Sequence, residues 1–153
     1  MKGKTLIFLF LVLVFALTAC VSTQTTFEDA KGRDWSLAEV RSGQQKIIID
    51  RKSAENVFSG IYSLRFDEER ISGVGAPNRY FAQYTLGDKQ SITIGVIAET
   101  MMASLFEPEN LSENEFFAYL QNIERWNIAG KNLELYTKGD GGSQAVLVFI
   151  PAE

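Results

Sequence analysis

Short runs of alternating apolar and polar residues dominate the chain from Trp35 onward. Between Tyr62 and Phe66 every second residue is apolar, which is the period of a strand with one buried face. Glycine-rich or acidic turns separate such runs, and this predicts consecutive antiparallel hairpins. Residues 145–150 are apolar on both faces, so the last strand is predicted to be central. The predicted strands are 47–49, 62–66, 70–72, 79–86, 91–97, 126–128, 133–136 and 145–150, with a hairpin tip at 139–143.

One helix is strongly indicated near residue 112. Ser112 and Glu115 have the spacing of a capping box, in which the serine hydroxyl accepts from the Glu115 amide and the glutamate reaches back. Apolar residues then recur at helical spacing, at Phe116, Phe117, Leu120 and Ile123. We predict a helix over 112–124 and a second helical segment over 99–106, before Pro108. For both apolar stripes, a lid over a lipid or peptide groove is the alternative to packing on the sheet.

These elements predict the fold class. The domain is expected to be α+β, with a strongly curved antiparallel sheet that forms a partly open barrel. One main helix is expected to pack across that sheet.

The amino terminus differs from the rest of the chain. Lys2 and Lys4 precede an unbroken apolar run over 6–17, which is shorter than the about 20 residues that a transmembrane helix needs. A basic head and a short apolar core are typical of a cleaved export signal. The run closes on Leu17-Thr18-Ala19-Cys20, which resembles a bacterial lipobox. We expect cleavage before Cys20 and lipidation of its sulfur; the alternative is an ordinary signal peptide that ends near a cysteine.

The lipobox divides the chain into three parts: a signal peptide over 1–19, a lipidated tether over 20–33 and a folded domain over 34–153. Stable anchoring needs at least two acyl chains, such as palmitate. We therefore expect the protein at the cell envelope, with the membrane as a partner through the anchor on Cys20. Val21 stands where many lipoproteins of the inner membrane have aspartate, so the outer membrane is favoured if the source has two membranes.

Composition excludes several classes of function. The chain has no histidine and one cysteine. With Cys20 lipidated, a disulfide, a Cys/His nucleophile pair, a Ser-His-Asp triad and the usual Cys/His zinc sites cannot form within the chain. Loss of Lys2 and Lys4 with the signal changes the formal net charge from −4 to −6, which suits nucleic acid poorly. We expect no enzyme activity, no cofactor, no metal and no nucleic-acid partner.

Two alternatives based on carboxylates remain open. Acidic residues gather around the start of the predicted main helix, where the helix dipole favours them; they are Glu107, Glu109, Glu113 and Glu115. They leave a calcium site as an alternative, although no aspartate ladder of metal-loop spacing is present. A carboxylate-based enzyme, such as a glycosidase with an acid pair, is a remote alternative.

A series of motifs extends over residues 35–150. They are Trp35-Ser36-Leu37, the run from Ile71 to Tyr80, Tyr84, the run from Thr100 to Ser104, Phe117 with Leu120, and the run from Trp126 to Leu135. Their order resembles the META domain family, which includes HslJ-type heat-shock lipoproteins. The chain departs from the family pattern at Pro77 and Ser104, where cysteines are common, and at Met101, where arginine is common. The joint loss of both cysteines suggests that these positions are neighbours.

The resemblance implies a function as well as a fold. META domains occur in stress-induced and secretion-linked envelope proteins, so it implies a non-enzymatic binding or stress-related module. Their fold is similar to that of secretin-pilot lipoproteins, which implies that the ligand is a segment of an envelope protein or a lipid tail. A carrier of an apolar ligand is therefore the alternative function.

The motif residues themselves permit two interpretations. The glycines allow positive φ or close backbone approach, and the asparagine side chain can hold a tight turn. Alternatively, Asn78, Arg79 and Tyr84 present a surface to a partner. Thr100 fits the start of a helix, and Met102 fits a side chain that fills a gap in the core. The residues in question are Gly73, Gly75, Asn78, Arg79, Tyr84, Thr100 and Met102.

Overall fold

A ten-stranded antiparallel sheet, curved into a nearly closed barrel, forms most of the structure. The computed structural model describes residues 25–103, 110–138 and 144–152, and only the backbone of Val57 and Lys138. The strands are β1 (Asp34–Ser42), β2 (Gln45–Ile48), β3 (Ser63–Phe66), β4 (Arg70–Val74), β5 (Arg79–Leu86), β6 (Ile92–Ile94), β7 (Ala98–Glu99), β8 (Ile123–Ala129), β9 (Asn132–Lys138) and β10 (Gln144–Pro151). The helices are α1 (Arg51–Val57) and α2 (Glu113–Gln121), and a 3₁₀ turn covers Phe27–Asp29.

The strand order is β6-β5-β4-β3-β1-β10-β9-β8. One edge of β1 pairs with β3 through residues 34–36 and with β2 through residues 39–42, while its other edge pairs with β10. The β1–β10 register shifts between Leu37 and Glu39, and such an irregularity bends a strand. The short β7 pairs with the start of β5.

One seam separates the two terminal strands of this order. Ser91 and Arg125 form an antiparallel bridge across it, and the Trp126 amide donates to the Gln90 carbonyl at 3.0 Å. The sheet therefore closes almost completely, and the predicted α+β class with a partly open barrel is confirmed.

Aromatic side chains close the two ends of the barrel. Phe116 of α2 packs against Tyr62 and Tyr80, with ring centroids 4.9 and 6.0 Å away. Tyr62 precedes β3, and Phe27 packs beyond the other end of that strand. Three rings surround Phe27 at 4.9–5.5 Å, those of Phe66, Tyr84 and Trp126. Helix α2 and the 3₁₀ turn thus cover opposite ends of one continuous core.

Most of the predicted hairpins occur where the pattern places them. The strand β10 lies between β1 and β9, as its two apolar faces predict. Its consecutive residues Leu147 and Val148 point to opposite faces and are both buried. The predicted strand over 91–97 is shorter in the structure: β6 ends at Ile94, residues 95–97 have no regular structure, and β7 begins only at Ala98. The hairpin tip at 139–143 lies outside the described residues.

The helix predictions are partly wrong. The capping box of α2 is confirmed, but the helix ends at Gln121 and Ile123 begins β8. The helical segment predicted over 99–106 is wrong for its described part. Residue Glu99 ends β7 and residues 100–103 have no regular structure, because this segment pairs with β5 and is held by side-chain hydrogen bonds described below.

Three parts of the fold are absent from the predictions, and the first is β1 (Asp34–Ser42), which pairs with β2, β3 and β10. Helix α1 begins after Asp50, whose side chain accepts from the Ser53 amide at 3.3 Å, and its buried residue Ala54 gives no apolar periodicity. The core also begins earlier than the expected start near Trp35. Phe27 and Ala30 are buried, and the Trp35 indole donates to the Ala30 carbonyl at 2.9 Å, so residues 27–33 belong to the fold and not to the tether.

The anchor region lies outside the described residues, which begin at residue 25. The signal peptide over 1–19 and the lipidation of Cys20 therefore remain predictions. Within the described ranges, no helix is long and apolar enough to cross a membrane.

Candidate functional site

The turn between β4 and β5 contains the motif residues. The Gly75 amide donates to the Asn78 carbonyl at 2.6 Å, and the Gly75 carbonyl accepts from the Tyr62 amide at 3.1 Å. The peptide bond between Ala76 and Pro77 is cis, and Pro77 is buried. The chain reverses within four residues, and Asn78 is left only 6% exposed.

The carboxylate of Glu113 organises this turn. Glu113 is the first residue of α2, and only 8% of it is exposed. Its Oε1 accepts from the backbone amides of Ala76 and Asn78, the latter at 2.6 Å, and its Oε2 accepts from Asn78 Nδ2 at 2.7 Å. Hydrogen bonds to a charged acceptor are stronger than neutral ones. Two backbone amides of the turn and the Asn78 side chain thus hold a buried carboxylate at the start of α2.

A second carboxylate lies close to this group. Partial burial, followed by the negative charge of Glu113, raises the pKa of Glu99. The two carboxylates therefore lie close enough to interact electrostatically.

The other end of the Asn78 amide connects the turn to residues 100–102. Asn78 Oδ1 accepts from Thr100 Oγ1 at 2.8 Å and from the Met102 amide at 2.7 Å. Thr100 Oγ1 also accepts from the Arg79 amide at 3.1 Å. Asn78 therefore joins three segments: the β4–β5 turn, the start of α2 and the chain after β7.

The motif glycines allow their backbone to approach neighbouring segments closely. A Cβ on Gly75 would lie 2.5 Å from Glu113 Oε1 and 2.7 Å from Phe117 Cζ. A Cβ on Gly73 would lie 2.0 Å from the Ser63 carbonyl oxygen. Neither glycine has positive φ, so of the two predicted reasons for these glycines, close backbone approach is the one observed.

Asn78, Arg79 and Tyr84 do not share a surface. Asn78 and Tyr84 are buried, and the Tyr84 hydroxyl donates to the Asp67 carbonyl at 2.7 Å. Arg79 is exposed, because successive residues of β5 face opposite sides of the sheet. Burial raises the pKa of Tyr84. Of the three, Arg79 is the residue that a partner can reach.

The roles predicted for Thr100 and Met102 are wrong. Thr100 does not begin a helix; its hydroxyl bonds Asn78 as described. Met102 is 54% exposed, so it does not fill the core.

The acidic residues near α2 form no metal site in the described ranges. Glu113 is held by the turn, and Glu115 accepts from the Ser112 amide and hydroxyl at 2.8 and 2.7 Å. The hydroxyl bond is the main cause of a lowered pKa at Glu115. No cluster of three His, Cys, Asp or Glu residues in the described part of the chain could hold a metal ion. Glu107 and Glu109 lie outside that part.

Three arginines stand on the outer face of β3, β4 and β5. Arg65, Arg70 and Arg79 line one shallow depression of about 380 Å³. Between them lies Ser72, which pairs with both Arg65 and Phe81. Phe81 is 51% exposed, and the Arg70 guanidinium lies 5.6 Å from its ring centroid. We call the surface formed by Arg65, Arg70, Arg79 and Phe81 the arginine face.

The three arginines differ in their partners. Arg65 contacts Asp67 at 3.1 Å and Asp34 at 3.5 Å. Arg70 and Arg79 form no ion pair with any residue that the structure describes. Among the described residues, the arginine face therefore presents two cations without an acidic partner, on a protein whose formal net charge is −4.

A larger groove adjoins this face. It has a volume of about 740 Å³ and lies between α1, the start of β1 and the end of β10. Arg51 and Lys52 line it, and Arg51 pairs with Glu55 and donates to the Ile61 carbonyl at 2.6 Å. Lys52 has no ion-pair partner among the described residues. We call this depression the α1 groove.

The sequence-based predictions include Glu113 only as a possible calcium ligand, and they include Arg79 as the single member of the arginine face. From its position in the first turn of α2, Glu113 is expected to be an exposed acid. Its hydrogen-bond partner Asn78 lies 35 residues away in the sequence, so no local pattern indicates the contact. The common face of the arginines could have been predicted from the sequence, because pairing the predicted hairpins places Arg65, Arg70 and Arg79 on one side of the sheet.

The family of the chain follows from a comparison of sequences. A family model of the META domain matches residues 19–153, and these residues include the turn, α2 and the arginine face. The chain belongs to the META domain family. The predicted resemblance is therefore confirmed. No curated protein matches the chain.

Two solved structures are similar to this META domain. The NMR structure of a protein from Burkholderia xenovorans aligns with a TM-score of 0.62 and 19% identity, over 82% of this chain and 85% of that chain. The crystal structure of a DUF4847 family protein from Bacteroides vulgatus aligns with a TM-score of 0.58 and 12% identity, over 81% of this chain and 95% of that chain. At these identities the likeness shows the fold.

Proposed function

We propose that this protein is a lipid-anchored module of the cell envelope whose META domain binds a partner protein without catalysing a reaction. The arginine face is the observation on which the proposal rests. Arginine and aromatic side chains are enriched among the residues that contribute most to binding at protein interfaces. The resemblance to heat-shock lipoproteins supports a stress-related role.

The anchor is supported by the amino-terminal sequence. A basic head, a short apolar core and the lipobox ending at Cys20 occur in the expected order. The first buried residue in the described part of the chain is Phe27. Seven extended residues span at most about 25 Å, so the domain is held close to the membrane surface. The partner is therefore expected to be an envelope protein, at the outer membrane if the source has two.

The absence of enzyme activity is supported by the chemistry of the buried polar groups. The chain has no histidine. Tyr80 is buried, which raises its pKa well above the ordinary range, and its hydroxyl donates to the Ser63 carbonyl at 2.9 Å. The buried carboxylate of Glu113 is held by amides of the β4–β5 turn. Both groups therefore have structural partners.

An apolar-ligand carrier ranks below a binding module. A carrier needs an apolar cavity of a few hundred cubic ångströms. Here the barrel core is filled with aromatic and aliphatic side chains, and Phe27 and Phe116 cover its ends. The packing favours recognition on the outside of the barrel.

The anchor is tested by fractionation of cells. Cys20→Ser should release the protein into the soluble fraction and abolish labelling by a fatty-acid precursor. Unchanged labelling would rule out lipidation at this residue.

The binding surface is tested by photocrosslinking in cells. A benzoylphenylalanine at position 81 should give an adduct with an envelope protein after irradiation, and Arg79→Glu should weaken that adduct. The same probe at Lys131, an exposed turn residue between β8 and β9, is the matched control. No adduct at position 81, or an equal adduct at position 131, would contradict the proposal.

A further inference from the structure

We infer that the arginine face and the α1 groove form one docking channel for an extended acidic peptide that also has apolar side chains. The inference rests on the proposed binding function and names the chemistry of the partner. Asp34 and Ser63 line both depressions, so the two adjoin along these residues. The channel runs from Phe81 across β4, β3 and β1 to α1.

The charges along the channel favour an anionic ligand. Its acids, Asp34 and Glu55, are already paired with Arg65 and Arg51. Three cations have no acidic partner among the described residues: Arg70 and Arg79 on the arginine face, and Lys52 in the α1 groove. Carboxylates fit them, because a guanidinium binds a carboxylate through two parallel hydrogen bonds.

The apolar groups at both ends favour a peptide over a phosphate polymer. Phe81 stands at one end, and Ile150 and Pro151 line the other. A phosphate chain would leave these groups without a matching contact, whereas a peptide presents apolar and acidic side chains on one strand.

The floor of the channel leaves room for a backbone. Ser63, Ser72 and Gly73 line it, and their side chains are small or absent. Bulky residues at these positions would divide the channel.

The inference is tested by fluorescence anisotropy with the full-length chain in detergent micelles. The probe is a fluorescein-labelled peptide that alternates glutamate and leucine, and micelles alone give the blank. The variants Arg70→Glu, Arg79→Glu and Lys52→Glu should each bind about tenfold more weakly, which equals about 1.4 kcal/mol. Lys131→Glu makes the same charge change outside the channel and should bind like the parent. Binding should also weaken as salt is raised.

Three outcomes would overturn the inference: equal binding of the matched lysine–leucine peptide, equal weakening by Lys131→Glu, or displacement of the probe by inorganic polyphosphate at a lower concentration than by unlabelled glutamate–leucine peptide. Failure to bind the probe while the adduct at position 81 persists would refute the acidic peptide but leave the binding module intact. If a charge reversal unfolds the protein, Arg79→Gln gives the same comparison with one charge removed.

Discussion

Asn78→Ala tests whether the motif asparagine supports the fold. The substitution removes the 2.7 Å hydrogen bond from Asn78 Nδ2 to Glu113 Oε2, and it removes the acceptor of Thr100 Oγ1 and the Met102 amide. The Asn78–Glu113 bond is buried and its acceptor is charged. Thr100 and Met102 are exposed, so water replaces the lost acceptor at small cost.

The magnitude follows from the bond to Glu113. A hydrogen bond to a charged group contributes about 1.5–3 kcal/mol to stability, and we expect a loss in this range. With an m value of about 2 kcal/mol/M in urea, the midpoint should fall by about 1 M. Arg79→Ala is the neighbouring control; Arg79 is exposed, so the loss should stay within about 0.5 kcal/mol.

The assay is urea unfolding of residues 21–153, monitored by the fluorescence of the buried Trp35 and Trp126. Equal midpoints for Asn78→Ala and Arg79→Ala would refute the structural role of Asn78. If Asn78→Ala instead unfolds like the parent and loses the crosslinked partner, the motif is a recognition site. Asn78→Asp sharpens the test, because it places a second carboxylate beside Glu113. It should be more destabilising than alanine at neutral pH and should recover in acid, when one carboxyl is protonated.

Three further predictions concern the rest of the domain. Phe27→Ala should cost about 3–5 kcal/mol by urea unfolding because Phe27 is buried, whereas Phe81→Ala, at a half-exposed ring, should cost far less; equal losses would place the start of the core later than Phe27. The folded-state pKa of Glu115 is lowered mainly by the Ser112 hydroxyl, so its stabilisation is present at neutral pH and lost as pH falls through that pKa; Glu115→Gln should reduce the loss of stability between pH 7 and about pH 3. A chelator should leave the melting temperature unchanged in calorimetry, and a clear drop would restore the calcium site as a candidate.

The elements that sequence predicts well are those with local causes. The capping box of α2 lies within four residues, and the strand pairs β3–β4 and β8–β9 are joined by short turns. Adjacent hairpins of this kind determine most of the antiparallel order. The pattern therefore indicates both the fold class and the central position of β10.

The predictions fail where distant contacts decide the conformation. The segment after β7 is predicted to be helical, yet Asn78 Oδ1 accepts from the Met102 amide and holds residues 100–103 against the turn without regular structure. Phe27 lies in a polar stretch, and its burial depends on Phe66 and Trp126, which are remote in sequence. Local patterns contain no information about such partners.

The buried motif residues and the proposed binding surface lie on different sides of β4, β5 and the turn between them, and this explains why the motif residues divide in role. Gly73, Gly75 and Asn78 allow the turn to close around the Glu113 carboxylate, which fixes how β5 leaves the turn. From Arg79 to Tyr84, the residues of β5 alternate between exposed and buried. The position at which β5 begins therefore determines that Arg79 and Phe81 face outward. A shift of one residue in this strand would bury the arginine and expose Tyr80. The buried turn therefore sets the register on which the proposed recognition surface depends. Substitutions in it should weaken binding only as far as they alter the fold, whereas Arg79→Glu should weaken binding with the fold intact.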